Sequence, residues 1–288
     1  MNRKQRRAAA KQGGAGARGP DAANVGPALL AEAARQHEAG RLAEAERLYR
    51  LALELDPNHP NTTRAFAVFM ENVRKKYDEA ERLYRRALEL DPNNAINTGN
   101  FARFMHEVRK DYGTAEQLYR RALELDPNHA NNTCNFAIFM QNVRENPDEA
   151  ERLYRKGLEL DPNHANSTRC LAFFMHSVRK KYDEAERLYR RALELDPTNA
   201  DNTGNFALFM ESVRKKYDEA ERLYRRALEL DPTHANNTAN FAVFMKDIRK
   251  DYGTADQLYR KAAGLDPTNE SWKKQLAEFL KEHPKFDK

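Results

Sequence analysis

Histidine, cysteine and carboxylate residues recur in this chain at fixed intervals, and each set raises a specific chemistry. His59, His129, His164 and His234 fall at corresponding points before successive apolar segments. A metal site needs ligands that converge within bonding distance. One histidine per period forms a row instead, and Asn94 and Asn199 take the same place. These histidines therefore read as polar turn residues, and no metal or other cofactor is expected. Cys134 and Cys170 are the only cysteines. They have no framework spacing and no adjacent base, so a reduced pair in a cytoplasmic setting is expected. Glu81, Glu89 and Asp91 repeat with the helix pattern and read as solvated-face and turn residues rather than a catalytic dyad. Asn61, Asn131, Asn166, Asn236 and Asn269 match the glycosylation triplet, but no secretory signal accompanies them. With no phosphate loop and no nucleophile motif, the expected role is not enzymatic.

The element that positions all of these is a repeat. Leu-Asp-Pro recurs with its proline at Pro57, Pro92, Pro127, Pro162, Pro197, Pro232 and Pro267, always 35 residues apart. A fixed period of this size marks a stacked array. The block KKYDEAERLYRRALELDP is identical at 75–92, 180–197 and 215–232. Within it Tyr77, Ala80, Leu83, Tyr84, Ala87, Leu88 and Leu90 form a helical stripe. Asp78 and Glu79 lie where the helix dipole favours acids, and Glu81 is placed four residues before Arg85. The Asp-Pro pair ends the helix, because a residue preceding proline avoids the helical region.

A second helix type precedes each such block. In 131–143, Phe136, Phe139, Met140 and Val143 share one face. The residues after each proline (Asn58, Asn93, Asn128, Asn163, Thr198, Thr233 and Thr268) are expected to cap these helices. Asn146 and Pro147 read as an N-cap followed by proline at the first helical position. Ser271–Glu282 reads as a terminal capping helix with Trp272, Leu276, Phe279 and Leu280 inward.

Charge separates the chain into two parts. Six of the 49 basic and one of the 44 acidic residues lie in 1–26, which leaves 43 of each sign in the remainder. The net +5 thus belongs to a basic, Gly/Ala-rich segment read as a disordered tail. The neutral repeat body is not expected to bind nucleic acid. A mean hydropathy of −0.92 and the lack of a long apolar run exclude a membrane-spanning helix from the expectation.

These columns resemble the tetratricopeptide repeat. In 26–59, Ala33, Gly40, Ala45, Tyr49, Ala52 and Pro57 fill its signature positions, and Ala67, Ala102, Ala137, Ala172, Ala207 and Ala242 keep the small-residue site later on. The later units depart by one extra residue between their helices, as in VRKKY. The pentatricopeptide repeat shares the period but lacks the Ala-Leu-x-Leu-x-Pro ending. The resemblance implies an all-α, right-handed superhelical solenoid: seven helix-turn-helix repeats over 27–270, then a capping helix and C-terminal end over 271–288.

It also implies that the first helix of each pair lines a concave face. The stripe beside the buried one holds Asn131, Asn135, Ile138 and Asn142, with Asn100 and Arg103, Asn205 and Leu208, and Asn236, Asn240 and Val243 elsewhere. An asparagine amide offers both a donor and an acceptor to a peptide backbone. The expected partner is therefore an extended peptide or protein. Glu71, His106, His176, Glu211 and Lys246 form a neighbouring column expected to tune preference. A two-carboxylate clamp is not implied, because Arg64, Arg103 and Arg169 have no accompanying lysine set. The start, MNRKQRRAAAKQ, is similar to that of bacterial repeat proteins that continue into a methyltransferase or glycosyltransferase domain. A substrate-recruiting module for such an enzyme is accordingly a second reading, and self-assembly into a homo-oligomer a third.

Overall fold

The computed structural model describes residues 22–267 and 269–286, the side chains of 22–25 excepted. Fifteen α-helices and no strand occur among the described residues. Seven antiparallel pairs and a final helix account for all fifteen. The chain forms two compact units, one running to Pro127 and the other starting at Asn128.

In the first unit the pairs are α1 (Ala22–Glu38) with α2 (Leu42–Leu55), α3 (Pro60–Asn72) with α4 (Tyr77–Leu90), and α5 (Ala95–Phe104) with α6 (Tyr112–Leu125). The first helix starts inside the segment assigned to the tail; the rest of that segment, 1–21, lies outside the described residues. In the second unit they are α7 (Ala130–Asn142) with α8 (Pro147–Leu160), α9 (Ala165–Ser177) with α10 (Tyr182–Leu195), α11 (Ala200–Phe209) with α12 (Tyr217–Leu230), and α13 (Ala235–Phe244) with α14 (Tyr252–Leu265). The last helix, α15 (Glu270–Glu282), seals the second unit with Phe279, which is buried.

Each pair is held by the columns the periodicity marks. Ala67, Ala102, Ala137, Ala172, Ala207 and Ala242 have no exposed surface, which lets helices approach closely. A tyrosine of one second helix packs against two phenylalanines of the next first helix. Tyr84 lies 5.8 Å from Phe101 and 5.3 Å from Phe104, and Tyr189 lies 5.7 Å from Phe206 and 5.4 Å from Phe209. Such offset ring pairs add to the burial energy of the aromatic side chains.

The helix starts correct one expectation. Among the described residues, the one after the proline does not cap the following helix; the next residue does. Nδ1 of His59, His129, His164 and His234 accepts the backbone N–H three residues on, at 3.1, 3.2, 3.2 and 3.3 Å. The amide oxygens of Asn94 and Asn199 do the same at 3.0 Å. A neutral imidazole and an asparagine amide both present an acceptor at this reach, which explains their interchange. Asn58, by contrast, donates its own N–H to Asp56 and accepts from Arg86 of the next repeat. The Asn146 cap holds as read, accepting from Glu149 N–H at 3.1 Å.

The extra residue between paired helices has a definite solution. In the first pair Gly40 takes φ +73° and Arg41 N–H donates to Gln36 C=O, five residues back. In the other six pairs the returning amide reaches six residues back. Lys76 N–H donates to Met70 C=O at 2.9 Å, and Asp111 N–H to Met105 C=O at 3.0 Å. Three of these helix ends widen into a full π-helical turn, at Met105–Arg109, Met210–Arg214 and Met245–Arg249. The residue before the returning amide is then forced into the left-handed region: Lys75, Lys110, Glu145, Lys180, Lys215 and Lys250 have φ between 49° and 58°. A side chain there is disfavoured relative to glycine. Lys180→Gly should therefore raise stability by roughly 0.5 kcal/mol, the strain relief less the entropy glycine gains when unfolded. Urea unfolding would read the gain, and a loss would refute strain at this turn.

Arginine at these same turns ties consecutive repeats together. Arg109 Nε and Nη2 donate to Glu81 and Asp78 of the preceding second helix, both at 2.6 Å. Arg179 grips Glu151 and Asp148, Arg214 grips Glu186 and Asp183, and Arg249 grips Glu221 and Asp218, at 2.5–2.6 Å. Each guanidinium also covers a phenylalanine of its own first helix, with Arg214 5.6 Å from the ring centre of Phe209. The acids that favour the helix start thus also anchor the neighbour, and the charges of the repeat body largely satisfy one another.

Candidate functional site

The first helices bury Phe, Ala and Met on one side, and the adjoining stripe carries the residues singled out above. Asn100, Asn135, Asn205 and Asn240 are half-buried, as are Ile138, Leu208 and Val243, while Asn131, Asn142 and Asn236 are exposed. Asn100 and Arg103 belong to the first unit and the others to the second.

Two of the candidates meet in a definite cleft. Ile138 and Asn142 of α7 join Gln141, Tyr154, Arg169, Cys170 and Phe173 around a space of about 180 Å³. Its lining combines apolar and aromatic side chains with two amides and a guanidinium. Arg169 donates to Asn166 Oδ1 at 2.6 Å, and its Nε is buried without a hydrogen-bond partner.

Arg103 is held by two carboxylates. Its guanidinium donates to Glu71 at 2.9 Å and to Glu107 at 2.7 Å. Glu71 is 3% exposed and also accepts from Tyr84 Oη at 2.6 Å. This gives Glu71 a structural task in place of the tuning role expected of it. The contact with tyrosine recurs along the column at a spacing of 13 residues. Tyr154 Oη donates to Gln141 at 3.1 Å, and Tyr224 Oη to Glu211 at 2.6 Å. Burial pushes the Glu211 carboxyl up, with the Tyr224 hydroxyl opposing.

Histidine occupies the column at 106 and 176. His176 lies edge-on to Phe209 at 5.2 Å and to Phe173 at 6.2 Å, and its Nδ1 is buried without a partner. His106 lies edge-on to Tyr119 at 6.4 Å. Burial depresses the basicity of both imidazoles; Arg103 and Lys110 add to this at His106, where Glu107 opposes, and Lys180 adds to it at His176. A depressed folded-state pKa means that stability is full above the unfolded value near 6.5 and is lost as pH falls from there through the folded pKa. The double variant His106→Gln, His176→Gln gives both positions the residue type of Gln141 in the same column. It should flatten the fall in melting temperature between pH 7 and pH 5. An unchanged slope would place the acid sensitivity elsewhere.

Among the described residues no group of three or more His, Cys, Asp or Glu side chains is placed to hold a metal. No helix there is long and apolar enough to cross a membrane.

Stacked helix pairs with an amide-and-aliphatic stripe on their first helices define a repeat-type interaction scaffold. Tetratricopeptide repeats are matched over residues 29–59, 73–130, 143–200 and 214–234, and the chain belongs to the tetratricopeptide-repeat family. No curated protein sequence matches it. Among solved structures it is similar to pilF of Pseudomonas aeruginosa, with 22% identity and a TM-score of 0.56 over 74% of this chain and 94% of that one. A tetratricopeptide repeat protein from Parabacteroides merdae aligns over 89% of this chain and 99% of its own, with 18% identity and a TM-score of 0.64. The Cut9–Hcn1 hetero-tetramer of APC/C gives 18% identity and a TM-score of 0.67 over 86% of this chain, which spans 48% of the chain it matches. At these identities the likeness concerns the fold.

Proposed function

We propose that this chain is a non-catalytic scaffold that holds an extended peptide or partner protein along the first-helix stripe. The observation that carries this reading is the cleft bounded by Ile138 and Asn142, with the half-buried amides of Asn135, Asn205 and Asn240 on the same helical stripe of the second unit. Apolar side chains of a ligand would enter such clefts while the amides pair with its backbone. Neutrality of the repeat body, with many of its arginines paired to acids, supports a peptide ligand over a nucleic acid. A cytoplasmic setting belongs to this reading, and the two free thiols fit it.

The test is affinity capture from the native cell, comparing the intact chain with the Asn135→Ala, Asn205→Ala variant. Capture of a common partner should weaken by about tenfold, as expected for losing two hydrogen bonds of about 0.5–1.5 kcal/mol each. Undiminished affinity of the folded variant for a partner verified by titration would remove the amide stripe as the binding surface.

A further inference from the structure

By sequence alone the two cysteines read as an unremarkable reduced pair. The structure brings them together. Cys134 of α7 and Cys170 of α9 are 1% and 6% exposed and both free, and they are electrostatic neighbours on the first helices of successive repeats. Their surroundings differ. Cys170 lines the 180 Å³ cleft, and Arg169 Nη2 stands 3.5 Å from its sulfur. Cys134 is not among the residues that line the cleft, and its polar neighbours are Cys170 and Ser167. One thiol thus lines the cleft beside a cation, while the other is shielded and neighbours the first.

We propose that Cys170 and Cys134 form a hydroperoxide-reactive pair, with Cys170 as the attacking thiolate and Cys134 as the resolving thiol. A small hydroperoxide enters the cleft, and the Cys170 thiolate attacks its distal oxygen. The O–O bond breaks, Cys170 becomes a sulfenic acid, and the departing alkoxide or hydroxide takes a proton from water to leave as alcohol or water. Cys134 then attacks the Cys170 sulfur, its proton leaves with the hydroxyl as water, and an S–S bond forms. The pair loses two electrons and the peroxide gains them. The product would covalently join α7 to α9, first helices of successive repeats, beside Ile138 and Phe173 of the cleft.

The electrostatics agree with the division of labour. The neighbouring Cys134 thiol and then Arg169 bring Cys170 below the ordinary thiol value, against desolvation and the carboxylate of Asp201. Cys134 is pushed well up, because its proton is held by Cys170 and it is buried. Tyr154 and Tyr189 also face Cys170, and burial raises the pKa of both phenols, so they stay neutral there.

The experiment treats the full chain, reduced and free of reductant, with hydrogen peroxide and follows intact mass and free thiols. The expected product has lost 2 Da and both thiols, and peptide mapping places the bond between Cys134 and Cys170. Cys134→Ser should stop at a sulfenic acid on Cys170, trapped by dimedone, while Cys170→Ser should be inert at the same dose. The wild-type rate should rise with an inflection below that of an ordinary thiol at about 8.5. Arg169→Gln, which keeps both thiols, should slow the reaction at pH 7 several-fold and move that inflection upward. Circular dichroism confirms that each variant is folded. Equal reactivity of the two thiols, a wild-type inflection at the ordinary thiol value, or oxidation that joins separate chains instead of these two residues would each overturn the proposal.

Discussion

Arg103→Met should lower the unfolding free energy by roughly 3 kcal/mol, at the lower edge of what breaking a buried ion pair costs. The reason lies in the partner left behind. Glu71 is 3% exposed, and without Arg103 its charge keeps only the Tyr84 hydroxyl. Water has little access to make up the loss. Arg103 itself is 22% exposed and retains Glu107 when Glu71 is removed, so Glu71→Gln should cost less than Arg103→Met. The double variant Glu71→Gln, Arg103→Ile should recover most of the deficit. It resembles a combination the chain already uses, since Gln141 receives the Tyr154 hydroxyl and an apolar side chain, Phe173, stands 32 residues on where Arg103 stands relative to Glu71. Urea unfolding of the three variants checks this. Equal costs for both single substitutions would mean that the pair is bathed in solvent and the argument from burial is wrong.

Phe209→Ala should be costlier, at about 3–5 kcal/mol, the range for truncating a fully buried aromatic residue. Phe209 has no exposed surface. Its ring meets Tyr189 at 5.4 Å, Phe206 at 6.3 Å and His176 at 5.2 Å, beneath the guanidinium of Arg214. Several elements of the second unit therefore lose contacts through one substitution. In an array whose repeats touch mainly their neighbours, the damage should be local. Hydrogen exchange should accelerate first in α9 to α12, before the first unit responds. Leu208→Ala, one residue earlier and half-buried on the candidate stripe, is the control. It should leave the melting temperature within a few degrees of the wild-type value while weakening peptide capture. A melting loss as large as that of Phe209→Ala would assign Leu208 to the core.

Much of this architecture can be read in the sequence because a 35-residue interval repeats seven prolines and, with them, every buried column. Helix ends at Leu55, Leu90, Leu125 and their successors follow directly from the Asp-Pro pair. The caps fall one residue beyond the expected column for a chemical reason. Asparagine and threonine are familiar capping types, whereas an imidazole caps only when its Nδ1 is the unprotonated nitrogen, and composition cannot show the tautomer. The π-type widening is visible in the sequence only as an extra residue; the side chain that bears the positive φ is not. Glu71 departs from the tuning role because its partners lie 13 and 32 residues away. A signal exists nonetheless, since the spacing from 71 to Tyr84 recurs from Gln141 to Tyr154 and from Glu211 to Tyr224. Of the candidate stripe, the helical face is legible, but the cleft is not. It depends on Tyr154 and Cys170 reaching Ile138 from other helices, and near-identical repeats hide which copy opens such a space. The division after Pro127 has no counterpart in the repeat pattern.

The arginine grips made from the turns of the second unit point one way. Arg179, Arg214 and Arg249 reach backward to acids of the repeat before, and no grip in this set needs anything from the repeat after. The cassette from 180 to 214 accordingly carries a socket, Asp183 and Glu186, and a plug, Arg214, in one contiguous stretch. A further copy spliced in at this boundary would supply its own plug to the socket upstream and its own socket to the plug downstream. The array can thus grow or shrink by whole periods without any edge having to be redesigned, so its length is a freely adjustable quantity, set by copy number instead of by compensating substitutions.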